Sequence, residues 1–159
     1  MSDAPRNRDQ RKADTLAKLT TPEMDVWVAT SSVAEDGTPL PYLVPLSLAW
    51  LNDRVVIAVE ERSRTARNLI NSGRARLSVG PTRDVVIIDA RLERVLPVPD
   101  APAEIGEGYA GQADWDPRGD DGYVYLVLRP IRIQAWREAN EIKGRTLMRA
   151  GEWSTAPIE

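Results

Sequence analysis

Residues 61 to 73, ERSRTARNLINSG, predict a short helix around which the other elements of the chain can be ordered. Ser63 is suited to cap its amino end, because a serine oxygen accepts a hydrogen bond from a free backbone N–H there. Gly73 is suited to end it, since glycine adopts the left-handed backbone of a C-terminal cap without strain. The apolar positions between the caps are Ala66, Leu69 and Ile70. Their helical spacing predicts that one face of the helix packs on a larger apolar surface.

The same helix begins among three arginines, Arg62, Arg64 and Arg67. Backbone N–H groups and the helix dipole make this end partly positive, so each exposed arginine there costs about 0.3–1 kcal/mol. Something must offset that cost. Either the neighbouring Glu60 and Glu61, or solvent alone, compensate the charge, or an anionic ligand binds there.

A bound phosphate is the sharper of these explanations. The hydroxyls of Ser63 and Thr65 and the free N–H groups would donate hydrogen bonds to it, and the arginines would add forked, charge-assisted ones. A single arginine would favour the first explanation. Three arginines and two hydroxyls within six residues favour an anion site.

Apolar alternation predicts strands on both sides of this helix. Before it, strands are expected near residues 26–34, 41–50 and 54–60, joined by turns at EDGT and LND. After it, the runs RARLSVG, RDVVIIDARLERVLPV and GYVYLVLRPIRIQAWRE are typical of strands. In the last run two apolar sets alternate, so that strand is expected to be apolar on both faces. The sets are Tyr123, Tyr125, Val127 and Val124, Leu126, Leu128.

These elements predict a mainly β fold with two or three short helices, in which about six antiparallel strands close into a barrel. A peripheral helix is expected first, from the helical spacing of Ala13, Leu16 and Leu19. Residues 1–159 are expected to form a single domain, with a flexible N-terminal tail over about residues 1–8.

The composition excludes several kinds of site. The chain has no histidine and no cysteine, which removes disulfides, thiolate metal sites and the commonest general base near neutral pH, and we expect no metal site. The net charge of −3 argues against nucleic-acid binding. No apolar run reaches membrane-spanning length and the charged N-terminus lacks the apolar core of a signal peptide, so a soluble cytoplasmic protein is expected. Any chemistry must come from carboxylates, hydroxyls, arginines, the backbone or a bound cofactor.

The order of PYLVPLSLAWLNDRVVIAVE, SRTARNL, RARLSVG and DVVIIDARLE resembles the flavin-binding split β-barrel superfamily of the pyridoxamine 5'-phosphate oxidase type. The chain is particularly similar to the small flavin- or deazaflavin-dependent oxidoreductases of that group. The resemblance covers residues 25–93, and YLVLRPIRIQAWRE resembles the last strands of the family's barrel. It implies a six-stranded antiparallel split β-barrel with Greek-key topology.

In that family the segment equivalent to RSRTARN binds the phosphate of the cofactor. The positions to which the resemblance extends this role are Ser63, Thr65, Arg67 and Asn68, with Arg62 or Arg64 as a further source of charge. Many members carry a lysine where this chain has Thr65, which is why the extra charge would have to come from a neighbouring arginine. Asn68 is equally typical of a polar surface position on a helix, and Arg67 could instead pair with a neighbouring glutamate.

The resemblance also implies contacts to the cofactor ring and tail. VPLSL resembles the strand that faces the isoalloxazine edge, and its residues are Val44, Pro45, Leu46 and Ser47. Its apolar members are also typical of core packing, while Pro45 suits an edge strand or a place where a ligand meets the backbone. Arg83 lies in a turn, either near the cofactor tail or simply exposed.

A homodimer is implied as well, because the family builds its cofactor site across a subunit interface. Trp136 would then cover the flat ring of the partner's cofactor or fill the interface. The closing segment NEIKGRTLMRAGEW carries Lys143, Arg145 and Arg149. These cations could contact phosphates or an acidic tail, and the alternative is an ordinary solvated terminus.

The function implied by the resemblance is hydride transfer between a small organic substrate and FMN or the deazaflavin coenzyme F(420). Such cofactors carry the hydride chemistry themselves, so a chain without histidine or cysteine can still be an enzyme. Tyr109, Tyr123 or Tyr125 could donate a proton, although tyrosines on strands are more often structural, and no catalytic residue is assigned. The alternative is a non-catalytic split barrel that binds or carries a cofactor. Haem is disfavoured in that role because no histidine is available as an axial ligand.

Overall fold

The computed structural model describes residues 3–157, which form three α-helices and nine strands. The helices are α1 (Arg8–Thr20), α2 (Arg64–Ser72) and α3 (Ala103–Gln112). The strands are β1 (Asp25–Val33), β2 (Pro39–Ser47), β3 (Ala49–Leu51), β4 (Arg54–Glu60), β5 (Arg74–Val79), β6 (Val85–Pro97), β7 (Tyr123–Trp136), β8 (Thr146–Arg149) and β9 (Glu152–Trp153). None of the helices in residues 3–157 has the length and apolarity needed to cross a bilayer.

All nine strands join one antiparallel sheet in the order β2-β1-β5-β6-β7-β4-β3, and β8 and β9 extend it from β7. β2, at one end of this order, also lies against β4 near the other end, so the sheet curls around its core. The mainly β, antiparallel class with short helices is therefore confirmed. About six strands were expected. The larger number arises because Leu48 separates β2 from β3 within one apolar run, and the C-terminal segment adds β8 and β9.

The concave side of the sheet holds the main core. Its fully buried aliphatic side chains include Leu48, Ile57, Leu69, Leu77, Ile88, Leu126, Leu128 and Ile133. α2 contributes Ala66 and Leu69 to this core, but Ile70 is 48% exposed. The expected apolar stripe is wrong at that position, because the buried face of α2 is completed by two polar residues, Thr65 and Asn68.

A second, smaller core lies on the opposite side of β4 and β7, beneath α3. Its largest members are Tyr109 of α3 and Tyr125 of β7, both fully buried, and Trp115 packs edge-on against Tyr109 at 6.2 Å. β7 therefore separates the two cores, with Val124, Leu126 and Leu128 in the main one and Tyr125 and Val127 in the other. The prediction that this strand is apolar on both faces is confirmed.

A bulge in β7 changes which side chains face the core. Asp89 of β6 pairs with Arg132 and the next residue, Ala90, pairs with Pro130, so Ile131 has no partner on β6. Proline cannot donate a backbone hydrogen bond, and within sheets it is found at such irregular positions. Ile131 consequently lies half-exposed, whereas Ile133 is buried.

The N-terminal segment is held to the rest of the chain by a buried ion pair. Arg6 and Glu141 lie almost fully buried, with 2.7 Å between Arg6 Nη2 and Glu141 Oε2. Glu141 also accepts hydrogen bonds from the backbone N–H of Arg6 and of Arg137. Of the flexible tail predicted over residues 1–8, Met1 and Ser2 lie outside the described residues, while the part from Arg6 onward is anchored in this way.

The Arg6 hydrogen bonds lower the pKa of Glu141 to about 2. A carboxyl whose pKa is depressed on folding stabilises the fold above its unfolded pKa, and this contribution is lost as pH falls through the folded value. We predict that Glu141→Gln lowers the free energy of unfolding by roughly 3 kcal/mol at neutral pH, because it removes the buried carboxylate partner of Arg6 and leaves the partly exposed Asp14, at 2.8 Å, as its closest carboxylate. Urea denaturation series at several pH values measure this, and the deficit should shrink as pH falls from about 5 towards 2.

Arg118→Gln is the matched control, because Arg118 and Asp116 form an ion pair of the same 2.7 Å length on the exposed surface. Its loss should cost less than about 1 kcal/mol. Equal effects of the two substitutions would contradict the anchoring role of Glu141.

Candidate functional site

The start of α2 has the capped geometry that its sequence predicts. The Ser63 side-chain oxygen accepts a hydrogen bond from the Ala66 N–H at 3.1 Å. At the other end Gly73 has φ of 69° and donates its N–H to the Leu69 carbonyl at 2.7 Å. The Ser63 hydroxyl hydrogen stays free to donate, since the cap uses only its oxygen.

Positive charge at this helix start has no carboxylate partner in residues 3–157. The first turn of α2 contains no acidic residue, and Arg62, Arg64 and Arg67 are exposed and form no salt bridge with any described residue. Glu60 and Glu61, which could have offset them, pair with none of the three. The backbone N–H groups of Arg64 and Thr65 have no acceptor within the described chain either. Both the charge and the donors that would bind an anion are therefore present.

Two contacts fix α2 on the sheet. The Asn68 side-chain amide donates to the Thr30 hydroxyl of β1 at 3.1 Å, and both residues are buried. The Arg64 guanidinium lies over the Tyr42 ring of β2, 5.1 Å from its centroid. Asn68 and Arg64 thus have structural partners of their own. Thr65 is buried beside them, whereas Arg62 and Arg67 extend into solvent.

The β2 residues divide between core and surface. Val44 and Leu46 are half-buried and pack against the main core, while Pro45 is exposed opposite Trp27 of β1. β2 is an edge strand of the main strand order, a position that suits Pro45. The Ser47 hydroxyl donates to the Asp114 carboxylate at 2.7 Å, so in this structure it is engaged by the chain itself.

Arg83 and Trp136 lie at the other end of the strands from α2. The register places Val26, Val79, Val86 and Ala135 in one row, next to Trp136. Thr30 lies four residues further along β1, which is roughly 13 Å at the rise of a strand. Arg83 forms a forked pair with Glu138, and Trp136 is half-buried beneath the Arg145 guanidinium.

The predicted site residues therefore do not form one cluster within the chain. Ser63, Arg64, Thr65, Arg67 and Asn68 meet near Thr30 and Tyr42, with Arg62 just before them, while Ser47, Arg83 and Trp136 lie at the opposite end of β1. A single small anion cannot touch both ends of β1. Two positions that hold α2, Thr30 and Tyr42, were not identified from the sequence. They carry no local signal, because only the pairing of β1 with β2 brings them to the helix.

Two of the tyrosines proposed as proton donors are enclosed in the second core. Tyr109 and Tyr125 are fully buried beneath α3, and burial raises the pKa of the Tyr109 hydroxyl to about 12. Both therefore have a structural role in the second core. Tyr123 is half-buried and packs edge-on against Trp115 at 5.3 Å.

An open groove of about 560 Å³ lies on the outer face of β1, β5, β6 and β7. Ala29 and Ser31 line it, on the opposite side of β1 from the Thr30 hydroxyl that binds Asn68. The groove is thus separated from the α2 donors by the sheet.

We predict that Asn68→Ala lowers the free energy of unfolding by about 1–2 kcal/mol, because it leaves the buried Thr30 hydroxyl without its partner. Asn71→Ala is the matched control on the same helix, where the side chain is exposed. Both substitutions change helix propensity equally, so the difference between them isolates the Thr30 contact. Chemical denaturation of the two variants measures it, and equal stabilities would show that the contact does not hold α2.

No protein-family model matches the chain, and no curated protein matches it by sequence. Solved structures do match it. An F(420) reductase shares 21% identity at a TM-score of 0.54, over 74% of this chain and 93% of its own. A pyridoxamine 5'-phosphate oxidase-like protein from Listeria innocua shares 16% sequence identity at a TM-score of 0.54, over 80% of this chain and 98% of its own. A haem-binding protein from Mycobacterium smegmatis shares 19% sequence identity at a TM-score of 0.57, over 89% of this chain and 57% of its own. At such identities the likeness establishes the fold alone: this chain shares the mainly β, antiparallel fold of these solved structures, among them a pyridoxamine 5'-phosphate oxidase-like protein.

Proposed function

We propose that this protein is an oxidoreductase that transfers a hydride between a small organic substrate and bound FMN or coenzyme F(420). The observation that carries the proposal is the uncompensated positive charge at the start of α2. Arg62, Arg64 and Arg67 and the free N–H groups of Arg64 and Thr65 belong to six consecutive residues there, and none of the three arginines has a carboxylate partner among residues 3–157.

A phosphate fits these donors better than other small anions do. It offers several oxygens to the Arg64 and Thr65 N–H groups and the Ser63 hydroxyl, and its charge balances the forked guanidinium groups of Arg62 and Arg67. The Asn68–Thr30 hydrogen bond would keep the helix start in place whether or not a ligand is bound. Both proposed cofactors carry a phosphate group.

The structural neighbours support the same ligand class. One is an F(420) reductase and another is a pyridoxamine 5'-phosphate oxidase-like protein. A flavin or deazaflavin supplies the hydride chemistry when bound, so the residues of this chain need only bind, orient and shield it. Val44 and Leu46 pack against the core. The outward residues of β2 and Trp136 are therefore the candidates for contact with the ring of the cofactor.

We further propose that the protein acts as a homodimer that covers the outer face of β1 and β2. Directly opposite residues of paired strands share a face, which puts Trp27 beside Pro45 and Leu43 beside Ala29 on the outside of the sheet. Trp27 is 49% and Leu43 58% exposed. Large apolar side chains grouped in this way are typical of a surface that another protein covers, and a second copy is always available to it.

Leu43→Glu should therefore shift the protein from dimer to monomer, because a two-fold interface receives the new carboxylate from both copies. Sedimentation velocity at micromolar concentration measures the change. Val95→Glu introduces the same charge at another exposed aliphatic residue, on β6, and should leave the dimer intact. A wild-type protein that sediments as a monomer would refute the dimer but not the cofactor site.

The second candidate function is a non-catalytic cofactor carrier, favoured by the haem-binding neighbour. The chain supplies no histidine or cysteine to ligate haem iron. Haem would therefore depend on another axial ligand, such as tyrosine or methionine. Titration with haemin separates this candidate, since ligation shifts the Soret band.

The main test is to titrate the protein with FMN and with F(420). Quenching of the cofactor fluorescence measures the binding. The double variant Ser63→Ala/Arg67→Gln should bind at least about 100-fold more weakly, because each of the two charge-assisted hydrogen bonds that it removes contributes about 1.5–3 kcal/mol. Arg118→Gln removes a cation that is paired with Asp116 and should leave the affinity unchanged.

Turnover separates the enzyme from the carrier. With reduced cofactor, the enzyme should reduce a model enone or dye, while a carrier binds the cofactor without turnover. Wild-type protein that binds neither cofactor at micromolar concentration, or a double variant with undiminished affinity, would overturn the proposed site at α2.

A further inference from the structure

A second group of arginines surrounds a pocket at the β7–β8 side of the fold. The pocket has a volume of about 300 Å³. Four arginines line it, Arg8, Arg132, Arg145 and Arg149, together with polar side chains from Gln134, Thr146 and Ser154. No aspartate or glutamate is among its lining residues.

One neutral side chain holds two of these cations together. In the amide orientation that satisfies its neighbours, the Gln134 oxygen accepts from Arg132 Nη2 at 2.9 Å and from Arg145 Nε at 3.3 Å. Two guanidinium groups bonded to one oxygen repel each other, and an amide carries no net charge to offset the repulsion. Gln134 therefore sets their positions without neutralising them.

Carboxylates do not neutralise the cluster from outside either. Asp89 lies 3.9 Å from Arg132 but is already bonded to Arg76 at 2.6 Å. Glu152 stands opposite Arg149 in the β8–β9 pair and forms no salt bridge with it. Arg8, Arg145 and Arg149 form no salt bridge with any residue between positions 3 and 157. Some other arginines of the chain do have a close carboxylate partner, as Arg6 has in Glu141 and Arg83 in Glu138.

The side chains around the pocket are held in position by the protein. Arg145 lies over the Trp136 ring at 5.2 Å from its centroid. Arg8 donates to the backbone carbonyls of Ala156 and, at 2.7 Å, of Thr146. These contacts restrict the guanidinium groups but do not neutralise their charge. Donors that are already fixed in position bind a ligand at a lower entropic cost than mobile ones.

We propose that this pocket is a binding site for a multivalent oxyanion, either a phosphoryl group or adjacent carboxylates of a small molecule. Forked guanidinium groups match the oxygens of both chemistries, and the hydroxyls of Thr146 and Ser154 are additional donors. The site is separate from the start of α2, because Gln134 lies in the strand row of Ile87 and Ser78, at the opposite end of the sheet from Thr30. It stands whether or not the protein is an oxidoreductase.

The test is calorimetric titration of the full chain with pyrophosphate and with citrate at constant ionic strength, with acetate as a monovalent comparison. Saturable binding of pyrophosphate or citrate, and none of acetate, is expected. The tighter of the two identifies a phosphoryl or a carboxylate ligand. Arg132→Gln/Arg145→Gln should weaken binding at least about tenfold, because it removes two charge-assisted partners.

Two further variants make the result specific to this pocket. Arg149 is exposed and makes no side-chain hydrogen bond in the described residues, so Arg149→Gln is expected to fold normally and to weaken binding severalfold. If circular dichroism shows that the double variant is unfolded, Arg149→Gln provides the test of the pocket in its place. The α2 variant Ser63→Ala/Arg67→Gln should bind pyrophosphate or citrate at this pocket as the wild type does.

Three outcomes would overturn the proposal. One is no saturable binding of either anion at millimolar concentration. Another is unchanged affinity in Arg149→Gln and in a folded Arg132→Gln/Arg145→Gln variant. The third is loss of binding only in the α2 variant, which would assign the anion to the start of α2 and leave the cofactor proposal intact.

Discussion

The structure depends on the two apolar faces of β7. This strand pairs with β6 on one side and β4 on the other, and it is the wall between the main core and the core beneath α3. A strand with only one apolar face could not bury both sets of side chains. Because β7 has two, α3 can pack outside the sheet while α2 packs inside it, and the site at α2 is kept clear of the second core.

The arginines of this chain differ in whether a carboxylate lies close to them. Arg6 has a carboxylate partner at a place where segments distant in sequence meet. The arginines at the start of α2 and those around Gln134 have none within 3 Å in the part of the chain described. The chain has 24 acidic residues for its 21 basic ones, so the scarcity of close carboxylates at both places reflects where the fold puts the arginines and not a shortage of acids.

The helix α1 connects the buried ion pair of Arg6 and Glu141 with the arginines around Gln134. Arg11 of α1 is almost fully buried and donates to the carbonyls of Glu141 at 2.9 Å and Lys143 at 3.2 Å. These carbonyls immediately precede the segment that carries Arg145 and Arg149. The helix α1 therefore supports the backbone on which the second cluster is displayed, which explains how a chain terminus can hold cations in defined positions.

Local patterns in the sequence were sufficient for the fold class and for most of the elements, though not for β8 and β9 or for the break at Leu48. Ser63 and Gly73 delimit α2 because caps act on neighbouring backbone groups, and the alternation along β7 reveals its two faces because side chains alternate along any strand. The sequence also revealed the three arginines around Ser63, because they lie within six consecutive residues. It did not reveal the identity of the ligand.

Only the tertiary structure decided which positions meet. Asn68 binds Thr30 across 38 residues, Arg6 binds Glu141 across 135, and the bulge at Pro130 turns Ile131 out of the core. The pairing of Arg83 with Glu138 and the sharing of Gln134 by Arg132 and Arg145 likewise join separate segments. Such contacts follow from strand register and packing, which sum over the whole chain, whereas caps and alternation are set within a few residues by the geometry of the backbone.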